Sequence, residues 1–191
     1  GNILPLTEDN ADLVGITENG KKIIGEEQIT KCASKIKKVE YNRKITVNPD
    51  VLEAVNNADL IIFSSGSLLT SIAPHLINKE LVRAIKKAKA PKMYICNLFT
   101  QPGETDNFTV SDHIKTLENY LGSKNINVVV ANNNMLNNEL VNIYQTKEQK
   151  DPVQLDMDNL KKLNVEVLAD NLAKVEDSVY RHDSLKTAYL I

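Results

Sequence analysis

The chain has 191 residues, of which 42% are hydrophobic and 25% charged, with a formal net charge of -2. That length can bury a large core without metal or disulfide staples, and the balanced charge gives no electrostatic case for a nucleic-acid partner. Two cysteines do not make a disulfide framework, which suits a reducing compartment, and no apolar run reaches the ~20 residues that a membrane helix needs.

The start, Gly1-Asn2-Ile3-Leu4-Pro5, has neither a basic flank nor an apolar signal region, so a cytoplasmic protein is expected. Ala11–Thr17 and Lys21–Gly25 flank Glu18-Asn19-Gly20, and Asn-Gly between two strand-like runs predicts a β-hairpin. A further short strand is expected at Glu40–Asn42. Residues 1–46 are therefore read as a small antiparallel appendage, and 47–191 as the core of the same α/β domain. The lysines at 35–38 and 86–92 are read as solvated edges.

From Asn48 the pattern alternates helix and strand. Asn48-Pro49 supplies an N-cap and a proline at the first helical position, for a helix reaching Asn57. Asp59–Ser64 reads as a strand whose run Leu60-Ile61-Ile62-Phe63 predicts cover on both faces. Asn78 caps a helix to about Lys89, with Leu81, Val82 and Ile85 on one face. Lys92–Asn97 is the next strand, with Cys96 as a small buried hydrophobe. Thr109 and Asp112 form a capping box for a helix that Gly122 ends. Ile126–Ala131 is a buried strand, and Asn137–Thr146 is helical. Short strands are expected at Pro152–Leu155 and Val165–Leu168, around a small helix at 158–163. The final helix starts at Asp183 or Ser184. Alternation over this length predicts a Rossmann-like three-layer α/β/α fold with a mostly parallel sheet.

Parallel strands discharge their loops at one end of the sheet, where open α/β folds bind ligands. Three polar loops leave consecutive strands in this way: Ser64–Ser71, Asn97–Thr109 and Asn132–Asn134. In the first, Gly66, Ser67, Thr70 and Ser71 make either an N-cap with a tight turn or an anion-binding helix start. The second carries Asn97, Thr100, Gln101, Glu104 and Thr105, hydroxyls, amides and one carboxylate suited to a polar, phosphorylated small molecule. Glu104 reads as base, sugar-hydroxyl binder or internal brace of the loop. Pro102-Gly103 reads as a type II turn. Arg181-His182-Asp183-Ser184 precedes the last helix, where Arg181 is free to grip phosphate with its planar fork. Ser184 at that helix start is a candidate phosphorylation site. His75, His113 and His182 have no ligand-spaced partners, so no metal site is expected and each reads as surface. No catalytic residue is apparent.

The order Ala58-Asp59-Leu60-Ile61-Ile62-Phe63-Ser64, Gly66-Ser67-Leu68, Thr70-Ser71, Pro74, then Asn97-Leu98, Thr100-Gln101-Pro102-Gly103-Glu104-Thr105 and Ser111-Asp112-His113 resembles the YvcK-like gluconeogenesis-factor family. Leu4-Pro5-Leu6-Thr7-Glu8, Gly25-Glu26 and Arg181-His182-Asp183-Ser184 are similar to it as well. That family lies in the CofD-like superfamily with the 2-phospho-L-lactate transferases of deazaflavin coenzyme biosynthesis. Ser65 stands where the family usually has Pro, and His75 where it usually has Asn. Family members begin with a glycine-rich phosphate loop and an acidic segment, so the chain is expected to correspond to their carboxyl-terminal part. The resemblance implies a cytoplasmic bacterial protein binding UDP-glucose or UDP-N-acetylglucosamine, linked to carbon metabolism and cell shape. On that reading Gly66, Ser67, Thr70 and Ser71 meet phosphates. Asn97, Thr100, Gln101, Glu104 and Thr105 meet ribose or sugar, and Arg181 with His182 neutralises the diphosphate. A phospho-group transferase, with Mg²⁺, and a scaffold for cell-wall synthesis proteins are the alternatives. Homo-oligomerisation through the appendage or a sheet edge is compatible with each.

Overall fold

The computed structural model describes residues 1–32 and 34–191; Ala33, inside the expected appendage, lies outside the described residues. Strands β1 (Leu13–Thr17) and β2 (Lys22–Ile24) form the hairpin announced by Asn19-Gly20, with Gly20 at φ +82°. Helix α1 (Glu26–Thr30) follows, and β3 (Ile36–Tyr41) pairs antiparallel on the other side of β1. β3 is longer than the expected Glu40–Asn42. Its buried residues Ile36 and Val39 are three apart, which hides the period of two. A register shift between Ile16 and Thr17 accompanies this spacing.

Asn48 caps α2 (Pro49–Asn56) by accepting from the Asp50 N–H. β4 (Ile61–Phe63) leads through a π-helical turn, Leu68–Ile72, into α3 (Ala73–Ile77). Asn78 then caps α4 (Lys79–Lys87) through the N–H groups of Glu80 and Leu81. β5 (Lys92–Ile95) is followed by α5 (Val110–Leu121), opened by the Thr109/Asp112 capping box and closed at Gly122. Next come β6 (Val128–Asn132), α6 (Asn138–Ile143), a second π-helical turn at Tyr144–Glu148, and α7 (Met157–Leu163). β7 (Glu166–Asp170) completes a four-stranded sheet in the order β4-β5-β6-β7, parallel throughout.

One face of that sheet, with Phe63, Tyr94, Cys96 and Val129, packs on Leu76, Leu81, Ile114, Leu117 and Leu160 from the helices. The other face carries a smaller cluster, Met93, Val130 and Leu172, joined by Leu190 just after the chain's last helix. The molecule is thus an α/β fold whose parallel sheet is flanked by helices, with small antiparallel sheets beside it.

Three local expectations need correction. β4 is an edge strand, and Ile62 is 42% exposed, so its apolar run is not covered on both faces. Pro152–Leu155 makes only isolated bridges, Phe99 with Pro152 and Thr109 with Gln154, because its backbone stitches the loop after β5 to the body. Lys92 is buried rather than solvated, and its ammonium donates to the Ala88 carbonyl at 2.6 Å. A further hairpin, β8 (Ala173–Glu176) with β9 (Val179–His182), precedes α8 (Ser184–Tyr189). Its turn residues Asp177 and Ser178 have φ of +49° and +62° without a glycine or asparagine, so the usual turn signal is missing.

Candidate functional site

Parallel pairing of Phe63 with Tyr94 brings the loops after β4 and β5 out side by side. Asn97 ties them together: its amide donates to the Gly66 carbonyl at 3.0 Å and accepts from the Tyr94 hydroxyl at 2.8 Å. β9 supplies the third wall. His182 Nε2 lies 3.1 Å from the Cys96 carbonyl, and Nδ1 lies 3.4 Å from Ser65 Oγ. A carbonyl only accepts, so Nε2 carries the proton and Nδ1 is left to accept from the serine. Burial holds the His182 pKa below its ordinary value, which favours this neutral form.

These elements enclose a cleft of about 340 Å³ that brings together Asn97, Thr100, Gln101, Arg181 and His182. Phe99, Tyr144 and Tyr180 line it as well, the first two stacked with centroids 4.4 Å apart. The Tyr180 hydroxyl accepts from Asn137 N–H at 2.7 Å, and Tyr180 N–H donates to the Tyr144 hydroxyl at 3.0 Å. The hairpin is thereby docked on the second π-helical turn. Arg181 is exposed, and its nearest carboxylate, Glu176, stands 4.0 Å away. An exposed pair at that distance is worth little, so the guanidinium is available to an anion. The sequence reading missed this aromatic group because the hairpin that carries Tyr180 was not foreseen.

The other candidates are turned elsewhere. Ser67 Oγ donates to Glu104 at 2.6 Å and accepts from Thr70 N–H at 3.1 Å and Thr70 Oγ1 at 2.7 Å. Glu104 also accepts from Leu69 N–H at 3.2 Å. The chain's own carboxylate therefore occupies the helix start where an external anion would sit. Glu104 is 3% exposed and its second oxygen has no partner among the described residues; burial raises its pKa against the lowering effect of Ser67 and Leu69. Thr105, also buried, accepts from Gln101 N–H at 2.8 Å. Thr100 is bound at its hydroxyl by the Asp151 N–H at 2.9 Å. Gly66 is half-buried, and Ser71 is exposed beside it. Ser184 is exposed at the first position of α8, whose cap is Asp183.

Gly103 is at φ +77°, and a β-carbon there would come within 2.9 Å of the Cys32 carbonyl oxygen. Its own carbonyl accepts from Ile36 N–H at 2.8 Å. The Thr100–Asp106 segment thus joins the antiparallel sheet to the parallel one.

The histidines do not share one fate. His75 is exposed, but His182 is half-buried and His113 is wholly buried, which corrects the surface reading for both. His113 stacks on Tyr94 and meets the edge of Phe108, while Nδ1 donates to the Thr109 carbonyl at 2.9 Å. Burial lowers its pKa. Below its ordinary value of 6.5 the unfolded chain takes up a proton that the folded chain refuses. Stability is then full above that value and is lost as pH falls toward the lowered folded pKa. Denaturant midpoints from about pH 7.5 down to about pH 5 should fall more steeply for the native chain than for His113→Phe. Parallel curves would show that His113 takes up its proton equally well in the folded chain.

Burial pushes the Cys96 thiol up to about 12, so it is inert at neutral pH. Both Cys32 and Cys96 are free thiols. Among the described residues no three His, Cys, Asp or Glu side chains gather as metal ligands. No helix among them is long and apolar enough to cross a membrane.

The polar cleft thus lies at the carboxyl ends of a parallel sheet, the place where open α/β folds bind their ligands. The family model described as 2-phospho-L-lactate transferase CofD matches residues 1–173, and the chain belongs to the CofD family. A relative from Thermotoga maritima is 41% identical over 100% of this chain and 61% of its own length. The gluconeogenesis factor of Bacillus subtilis is 34% identical over 100% of the chain and 60% of its own. A crystal structure of a UPF0052-family protein from Bacillus halodurans superposes with a TM-score of 0.94 at 34% identity, covering 100% of this chain and 62% of that one. The chain accordingly spans about three fifths of the length of these curated relatives.

Proposed function

We propose that the chain is part of a gluconeogenesis factor that binds a nucleotide sugar of the UDP-glucose or UDP-N-acetylglucosamine kind without turning it over. It acts in the cytoplasm and links carbon metabolism to cell shape. The observation that supports this most is the weakly paired Arg181 guanidinium over the cleft at the ends of β4 and β5, opposite Asn97 and Gln101. Arg181 faces the diphosphate, with His182 bracing β9 against the loops; Asn97 and Gln101 face the ribose or sugar, and the Phe99–Tyr144 pair offers a face to the base. Ser67, Thr70, Glu104 and Thr105 shape the loop from behind. Calorimetric titration of the full-length protein with UDP-N-acetylglucosamine should give saturable binding. Arg181→Ala should weaken it about ten- to a hundredfold, the value of a lost charge-assisted contact. Unchanged affinity removes Arg181 from the site, and a flat titration of the native protein removes the reading.

The description of the matching family favours a second reading, transfer of a phospholactyl group to a deazaflavin alcohol. Phosphoryl-group transfer needs positioning and charge neutralisation more than a protein nucleophile. With no group of three His, Cys, Asp or Glu among the described residues, any Mg²⁺ would lean on the donor's phosphate oxygens and water. Product formation from a guanosine-diphospho-lactate donor decides between the two.

A further inference from the structure

A larger cavity, about 820 Å³, lies between the end of β3 with its following loop and the α3–α4 junction. It shares no lining residue with the Asn97–Arg181 cleft. Its size falls within the range of small-molecule sites. Asn78 fastens the two walls, donating to the Ile45 carbonyl at 3.2 Å while its oxygen caps α4. The cavity is therefore held open by the fold itself.

Its charge is lopsided. Arg43 and Lys44 come from one wall and Lys79 and Arg83 from the other, and none of the four forms an ion pair among the described residues. Two carboxylates line the same space. Glu40 is engaged by Lys22 at 3.2 Å and Lys38 at 3.6 Å, which leaves Glu80. Asp9, behind the loop, accepts from Thr46 N–H at 2.6 Å and feels Arg43. Lys44, Lys79 and Arg83 then face the single carboxylate of Glu80. Lys79 and Arg83 are four apart on α4, so both project on the same face. Between the cations, Tyr41, Ile45 and Ile77 give the cavity an apolar floor.

We infer that this cavity is a second ligand site, taking a small metabolite that joins a di- or polyphosphate to a flat organic group. Cations converging from two walls grip the phosphates, and Tyr41 with the isoleucines receives the ring. The reading is independent of the nucleotide-sugar cleft.

ADP and inorganic pyrophosphate serve as probes, titrated calorimetrically into the full-length protein at low ionic strength. ADP should still bind to Arg181→Ala, whose Asn97–Arg181 cleft has lost its cation. The double variant Lys79→Glu/Arg83→Glu should lose about tenfold or more in affinity, and added salt should weaken binding because the cations are exposed. Pyrophosphate should bind more weakly than ADP. Absence of ADP binding, its loss in Arg181→Ala, or its persistence in the double variant overturns the proposal. Equal affinity for pyrophosphate overturns the ring contact. Should the double variant misfold by circular dichroism, Arg83→Ala carries the same comparison, with retained affinity again the contrary result.

Discussion

Gly103→Ala should be among the most damaging single substitutions in the chain, costing about 2–4 kcal/mol of unfolding free energy. Two effects add. An L-residue at φ +77° is strained, and the new methyl would stand 2.9 Å from the Cys32 carbonyl oxygen, a backbone atom that cannot swing aside. Moving the loop to make room would disturb the Ile36–Gly103 and Gly103–Asp106 hydrogen bonds, at 2.8 and 2.9 Å. Gly20→Ala separates the two effects. Gly20 has φ +82° but nothing within 4 Å of an added β-carbon, so it should cost only about 1 kcal/mol. Urea midpoints of the two variants test this directly; equal losses would mean that the contact with Cys32 contributes nothing.

Asp156→Ala should cost a similar amount, about 2–4 kcal/mol. Its carboxylate accepts from Ser111 N–H at 2.9 Å, Ser111 Oγ at 2.6 Å, Thr109 Oγ1 at 2.9 Å and Asn159 at 3.0 Å. Ser111 is wholly buried, so truncation leaves its backbone N–H at the start of α5 without its acceptor. Partial burial works against ionisation, but the donors from Ser111, Asn159 and Thr109 prevail and hold the carboxyl below its ordinary 3.8. The stability it contributes is present above that value and is lost as pH falls through the lowered folded pKa. Asp156→Asn keeps an acceptor and should lose less than the alanine variant in chemical denaturation. Equal losses for the two would assign the effect to the charge alone.

Features written in short-range chemistry were legible in the amino-acid order. Asn48-Pro49, Asn78 and the Thr109/Asp112 pair start helices because each satisfies amide donors within its own turn. Gly122 ends one for an equally local reason, a positive φ. The parallel strands were visible from their apolar runs, and so was the common side on which their loops emerge. Contacts across long separations were not. Asp156 caps a helix that begins 46 positions earlier in the numbering, at Val110. Within the candidate site, Asn97, Thr100, Gln101, Arg181 and His182 were named and do meet at one cleft. Ser67 and Glu104 were named too, but they bind each other. Polar residues in a loop advertise hydrogen bonding, and only the three-dimensional arrangement says whether the partner is a ligand or the chain itself.

The ribbon of β8 and β9 has a consequence of its own. It pairs only with itself and adds no strand to the four-stranded sheet, while the core beneath is assembled from residues of other elements. One wall of the proposed cleft is therefore carried by a stretch of polypeptide outside that core. Evolution can change Arg181 on the second strand of this arm, and with it the charge over the cleft, without asking the interior to repack.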